Sequence, residues 1–440
     1  MLQRPDRTAL NRLTASQITD GVSTGEFTCE QVLGECLDRI DAREKVVQAW
    51  ACADRELALA QARRRDCARA PGPLHGVPIG IKDNIDTADL PTQMGSPIFQ
   101  GHRPAADAAC VAQLRAAGAV ILGKTVTCEF AGMTPSVTTN PHNPDHTPGG
   151  SSSGSGAAVA DFMVPVALGT QTGGSVLRPA SYCGVFGFKP SFGAFNRRGV
   201  YPAAESLDTV GLMARSLEDI ELVSAVLQLR TSLAAGSELQ PKIGLCRTPL
   251  WDKAQPATVS AIDDAATRLA KAGASIREVV LTPAFAALPD AARETINNYE
   301  RAGAMAWEWN THRQEISPRL RTRLETGRAT AHADYRDALQ LGEDCRKLLP
   351  NVFGNIDVLL APCTNGEAPR GLGDTGDPAF QAIWTILYVP TLSLPTHYGP
   401  SGLPVGIQLV GQRHRDSELL ACARWIWRVL GSPELIGVRA

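Results

Sequence analysis

The chain has 440 residues, and its 43 Lys and Arg against 45 Asp and Glu leave a formal charge of −2. That balance excludes the basic excess expected of a dedicated nucleic-acid or anionic-membrane binder. Hydrophobic residues at 44% and charged residues at 20% are the mix of a chain that buries a large core, which excludes intrinsic disorder.

The start, MLQRPDRTALNRL, has no apolar core of the kind a secretion leader needs, and no run of about 18 apolar residues follows, so the expected address is cytoplasmic and no membrane partner is expected. Next, Thr28 and Gln31 form a capping box, and Val32, Leu33, Cys36, Leu37 and Ile40 recur at helical spacing, so the N-terminal region of about 8–70 is read as helical. Val77–Lys82 is a short apolar strand with a polar turn at Asp83 and Asn84. Ala106–Ala117 has helical composition and stops at Gly118, and Ala119–Leu122 has the brevity of a buried strand. This alternation of helix and strand indicates a parallel sheet.

Asn140–Gly156 is the main break in composition, dense in Pro, Gly and Ser, and in isolation it has the character of a linker. Val164–Gly169 is strand-like, Thr170–Ser175 is a Gly-rich turn, and Ser216–Leu229 is a capped amphipathic helix. Later strands are read at Lys242–Cys246, Ser275–Leu281, Asp357–Pro362 and Gly406–Gly411, with helices at Val259–Leu269 and Ser417–Trp427. No solenoid-type repeat is present, and the default organisation is one large domain, residues 1–440. The stretch of about 282–380 is the least patterned part and is read as a variable helical cover over a pocket. Eleven Cys, an odd number without a C-x-x-C pair, are expected to be reduced and mostly buried.

Three short patterns match common motifs and are set aside on context. Gly118 to Thr125 has the G-x-x-x-x-G-K-T spacing of a phosphate loop, but a helix precedes it and its four intervening residues are apolar and strand-forming. Gly150 to Gly154 fits G-x-S-x-G, but no strand leads into it as a nucleophile elbow requires. His142 and His146 have metal-ligand spacing only on a helix, which Pro144 forbids, so no metal is expected.

What remains is Lys82 at a strand end, Gly149-Gly150-Ser151-Ser152, and Thr172-Gly173-Gly174-Ser175. The segments GVPIGIKDNID, GGSSSGSGAAVA and ALGTQTGGSVLRPASYCGVFGFKPS, with ESLDTVGLMARSLEDIELV and GLPVGIQLVG, together resemble the amidase signature family. The resemblance spans roughly 20–230 and 355–430. It implies a large mixed α/β fold whose sheet is covered on both faces by helices, and a cofactor-free hydrolase of amide C–N bonds. It further implies Ser175 as nucleophile, Ser151 on a cis peptide bond as proton relay and Lys82 as base. Thr172, Gly173 and Gly174 would then form the oxyanion hole, with Ser152 in support beside Lys82. Such a base must be neutral, which burial behind Val77–Ile81 would favour.

Two departures matter. Many relatives carry an acid where this chain has Gln171, and an Arg two positions after the nucleophile, where this chain has Leu177. Arg178, at three positions, gives the motif the look of malonamidase-like members, in which it would hold a substrate carboxylate; a structural role bonding backbone carbonyls is equally open. Trp384 and Tyr388 either line a substrate cleft or pack a core. The expected substrate is a small amide, ester, anilide or carbamate, and a homodimer is compatible with the charge. The alternatives are a glutaminase subunit of a tRNA-dependent amidotransferase, working with partner proteins, and a degenerate relative acting as a binding module.

Overall fold

The computed structural model of the chain describes residues 9–68, 70, 72–230 and 240–438. The first eight residues, where the leaderless start was read, lie outside them, as do 69 and 71 within the expected helical N-terminal region. Among the described residues the strands are β1 Trp50–Ala53, β2 Pro78–Lys82, β3 Val120–Thr125, β4 Val166–Gln171, β5 Phe186–Lys189, β6 Thr209–Ala214, β7 Lys242–Leu245, β8 Ser275–Glu278, β9 Val358–Pro362, β10 Thr391–Tyr398 and β11 Pro404–Val410. They form one 11-stranded sheet in the order β1-β3-β2-β4-β6-β5-β10-β11-β9-β7-β8.

The helices are α1 Ala15–Thr24, α2 Cys29–Val47, α3 Arg55–Asp66, α4 Ala109–Ala116, α5 Ser153–Ala160, α6 Leu177–Cys183 and α7 Leu217–Leu227. After them come α8 Pro256–Lys271, α9 Arg293–Ala304, α10 Ala306–Thr311, α11 Pro318–Ala329, α12 His332–Phe353, α13 Ala379–Ile386 and α14 Asp416–Leu430. At the start of α2 the capping box is reciprocal: Thr28 Oγ1 accepts from the Gln31 N–H at 3.1 Å, and Gln31 Oε1 from the Thr28 N–H at 2.9 Å. The chain passes from α4 into β3 through Gly118, at φ +100°, where a Cβ would stand 3.0 Å from the His75 backbone.

The parallel arrangement holds only in the two wings, β3-β2-β4 and β9-β7-β8. From β4 through β6, β5, β10 and β11 to β9 every pairing is antiparallel, so the sheet is mixed. The physical reason lies in β5, β6 and β10, strands the sequence reading did not place. β10 and β11 are joined by a short turn at 399–403, and strands joined so tightly can only run antiparallel.

Alternate strand residues feed two apolar layers. Ile79, Ile81, Ile121, Val166 and Leu168 pack with side chains of α4, α7, α8 and α14, while Val120, Leu122 and Ala167 pack with α2, α3, α5 and α6. Both faces are therefore helix-covered, which is why β2, β3 and β4 are buried along their whole length. A third cluster joins α9, α12 and α13 to β9, with Phe285, Ile296, Leu359 and Trp384 among its members.

The linker-like run departs most from its sequence character. Ser153–Ala160 is helix α5, and every residue in it is buried. A Cβ on Gly154 would stand 2.2 Å from the Ala49 carbonyl oxygen and 2.4 Å from the Val126 nitrogen, and one on Gly156 would meet Pro179 of α6 at 3.1 Å. Small residues occur here because backbone packs directly on backbone, so low hydrophobicity records closeness rather than exposure.

Candidate active site

Lys82 ends β2 and is wholly buried. The parallel pairing of Ile79, Gly80 and Ile81 with Val166, Ala167 and Leu168 carries the ends of β2 and β4 forward together. Lys82 Nζ consequently lies 2.8 Å from Thr170 Oγ1 of β4 and 2.8 Å from Ser151 Oγ. Asn84 Nδ2 also donates to Thr170 Oγ1, at 3.2 Å. Burial, the dominant cause, pushes the Lys82 amine from its ordinary 10.5 down to about 7; Arg301 and Arg178 push the same way, while Cys128 and Asp208 oppose.

Ser151 follows a cis Gly150–Ser151 peptide and precedes α5. Its carbonyl accepts from the Cys128 N–H at 3.1 Å, and the Ser152 N–H donates to the Ser175 carbonyl at 3.3 Å, so the Gly/Ser run and the Gly-rich turn are stitched together. Ser152 Oγ meets the backbone of Thr170, 3.3 Å from both its carbonyl oxygen and its nitrogen. Ser152 thus contacts the backbone of Thr170, a neighbour of Lys82, and not Lys82 itself.

Ser175 is half-buried and lines a narrow cleft together with Thr172, Gly173, Gly174 and Arg178. Three groups to which the sequence assigned no such role, Gln171, Thr385 and Asp208, hold this turn. Gln171 Oε1 accepts from the Val176 and Leu177 N–H groups at 2.9 and 3.1 Å, and its Nε2 donates to Thr385 Oγ1 at 3.0 Å. Thr385 Oγ1 donates to the Gly173 carbonyl at 2.7 Å. Thr172 Oγ1 donates to Asp208 at 2.5 Å, and the other Asp208 oxygen accepts from the Ala203 and Ala204 N–H groups. The neutral amide of Gln171 thus serves as a backbone acceptor. Gly174 has no room for a side chain, since its Cβ would stand 2.4 Å from Gln381 Oε1.

Arg178 is 3% exposed; its Nη2 donates to the Gly150 carbonyl at 2.6 Å and to Thr375 Oγ1 at 3.1 Å, while Nε and Nη1 have no partner among the described residues. It therefore bonds backbone, as the structural reading holds, and still brings free donors to the cleft. The structure does not bring Trp384 to that cleft: it is fully buried in the α9–α12–α13 cluster. Tyr388 stacks on Phe192 with ring centroids 4.3 Å apart. Trp384 packs a core because the inner face of α13 is covered by the long cover helix.

In two of the motifs set aside on context, the side chains are held by other partners. Lys124 is fully buried in β3, paired with Asp83 at 3.3 Å and bonded to Thr92 Oγ1 at 2.6 Å. His142 and His146 each meet a backbone carbonyl, of Cys183 at 2.9 Å and of Ala368 at 2.8 Å. Among the described residues no helix is long and apolar enough to cross a membrane.

A mixed, doubly covered sheet whose strand ends bring a buried lysine against a serine defines the class, and the chain belongs to the amidase signature family: residues 31–420 match the family model named Amidase. The A subunit of glutamyl-tRNA(Gln) amidotransferase from Chloroflexus aggregans is 33% identical over 467 residues, covering 94% of this chain and 95% of that one. A solved structure described as a vestigial protein complex revealing the evolutionary origins of an s-triazine catabolic enzyme superposes with a TM-score of 0.88 at 28% identity, covering 97% of this chain and all of that one. Peptide amidase from Stenotrophomonas maltophilia gives 0.79 at 29% identity, covering 95% and 97%.

Proposed function

We propose that this protein hydrolyses the C–N bond of carboxamides through an acyl-enzyme, with Ser175 as nucleophile, Ser151 as relay and Lys82 as base. The observation that carries it is Lys82 Nζ, buried and 2.8 Å from Ser151 Oγ, with its amine brought to about 7. At neutral pH a large fraction of that amine is unprotonated, as a general base must be. Ser175 Oγ attacks the carbonyl carbon as its proton passes to Ser151 Oγ and the Ser151 proton to Lys82 Nζ. The N–H groups of Thr172, Gly173 and Gly174 receive the oxyanion, a contribution of about 3 kcal/mol for each well-placed donor. On collapse, Ser151 gives its proton to the leaving nitrogen and recovers one from Lys82; water then reverses the path and frees the acid. Esters, anilides and carbamates present the same carbonyl to the same nucleophile.

The similarity to the glutamyl-tRNA(Gln) amidotransferase relatives favours, over a free-standing hydrolase, a reading in which the same steps release ammonia from glutamine for a partner protein. The two share every residue named above and differ in substrate and company. A serine-directed fluorophosphonate with peptide mass spectrometry tests the shared part: labelling at Ser175 that is lost in Lys82→Ala supports it, and labelling at Ser152 or nowhere refutes it. Ammonia release from glutamine, with and without co-purifying protein, separates the two.

A further inference from the structure

The antiparallel register of β4 and β6 pairs Gln171 with Thr209, so Thr172, just past the end of β4, and Asp208, just before the start of β6, leave the sheet side by side. Both are buried, at 8% and 6% exposure, and the Thr172 hydroxyl donates to one Asp208 oxygen at 2.5 Å. The other oxygen accepts from the Ala203 and Ala204 N–H groups at 2.7 and 3.0 Å. A little upstream, the Tyr201 N–H donates at 2.9 Å to the carbonyl of Asn84, in the turn after Lys82. Asp208 therefore joins the turn that carries the oxyanion donors to a segment anchored beside the base.

Three donors converge on this one side chain, and only a group with two acceptor oxygens and no proton of its own can accept from them all; an amide would turn an N–H towards one of them. That requirement accounts for a carboxylate in a place where burial disfavours charge. Burial raises the Asp208 carboxyl, while the Thr172, Ala203 and Ala204 bonds and the charge of Arg301 favour the carboxylate. Arg301 lines the cleft with Arg293, both from α9. Around Lys82 burial acts most; of the neighbouring groups Cys128 and Asp208 support the protonated amine, and Arg301 and Arg178 oppose it. Burial keeps the Cys128 thiol protonated, which leaves Asp208 as the anion among these four.

We propose that Asp208 is a positioning residue for the reaction, turning the Thr172 N–H towards the oxyanion by holding the Thr172 hydroxyl, and standing as the anion that Arg301 and Arg178 balance beside Lys82. This role rests on the hydrolysis proposed above. One carboxylate then serves both halves of the chemistry with opposite effects: it fixes an oxyanion donor and, by supporting the protonated amine, holds back Lys82 from acting as base at lower pH. Its removal should therefore slow the enzyme and at the same time let it work in more acid solution.

The test follows, as functions of pH, kcat and KM for butyramide and glutamine and the rate of fluorophosphonate labelling at Ser175, which needs no amide to be cleaved. Thr172→Val keeps the side-chain shape and deletes the tether; kcat and the labelling rate should fall by about 10- to 100-fold, less than the loss of a donor outright, with KM and the pH midpoint unchanged. Thr172→Ser, which restores the hydroxyl, should recover most of that loss. Asp208→Asn keeps the shape without the charge, and its labelling midpoint should lie below that of the wild type. A purely structural role would lower stability and leave the midpoint in place. An unmoved midpoint in Asp208→Asn, or a Thr172→Ser protein as slow as Thr172→Val, overturns the proposal; should Thr172→Val fail to fold, Asp208→Asn decides alone. If Ser175 is labelled and the variants respond as expected while neither amide is turned over, the hydrolysis reading fails and the positioning role stands. Absence of labelling in the wild type sinks both.

Discussion

Lys82→Met is the substitution in which the physics of the site is most exposed. Folding brings the Lys82 amine from 10.5 to about 7, so between those values the unfolded chain binds more protons than the folded one and stability rises with pH. A shift of about 3.5 units at about 1.4 kcal/mol each means that holding Lys82 costs about 5 kcal/mol at pH 6 and about 2 kcal/mol at pH 9. Met removes that cost and also removes the 2.8 Å bonds to Ser151 and Thr170, a loss that does not vary over this range. The stability of Lys82→Met relative to wild type should therefore decline by about 3 kcal/mol from pH 6 to pH 9. Lys189, also fully buried and brought to about 7, is present in both proteins and cancels. Urea unfolding of the two proteins at both pH values reads the quantity directly. A change below about 1 kcal/mol would mean that Lys82 is charged and solvated in the fold, and the base assigned to it would fall.

For the wild type, kcat/KM should rise with pH as the Lys82 amine deprotonates around 7 and level off above; a flat profile from pH 5 to 9 counts against Lys82 as base. Gln171→Ala strips acceptors from two buried N–H groups and should cost about 2–4 kcal/mol, with kcat falling as the turn loosens, whereas Gln171→Glu keeps both acceptors and should stay closer to wild type in thermal unfolding. Gly174→Ala should lower kcat by driving Gln381 aside; an unchanged kcat would show that the turn yields freely. Trp384→Ala should cost about 3–5 kcal/mol through its cavity without reordering rates across an amide panel, and a reordered panel would return Trp384 to the cleft.

Elements with a local signature were legible in the sequence. The Thr28–Gln31 box fixed the start of α2, and the apolar run ending at Lys82 fixed β2 and its buried terminus. Strands β1, β5, β6 and β10 were not: β1 and β5 are only four residues long, and β10 carries Pro395 in its interior, which reads against a strand. At the site, the serines and Lys82 carried a recognisable family pattern. Thr170, Asp208 and Gln171 did not declare their roles, because each acts through a contact that exists only when the turn is folded. Arg293 and Arg301 were hidden in the least periodic stretch, eight positions apart on one helix, where charged residues ordinarily face water.

Helix α5 also bears on how such chains are handled and diversified. A stretch of Gly and Ser is where a domain parser cuts, where a tag is inserted and where a protease is expected to nick. Here that choice would part Lys82 from Ser175 and leave neither half with all three residues. Across 149–160 the most permissive-looking letters mark the least permissive positions, and a scan of substitutions should find a trough of tolerance there, with an added methyl group at each glycine meeting packed protein atoms rather than solvent.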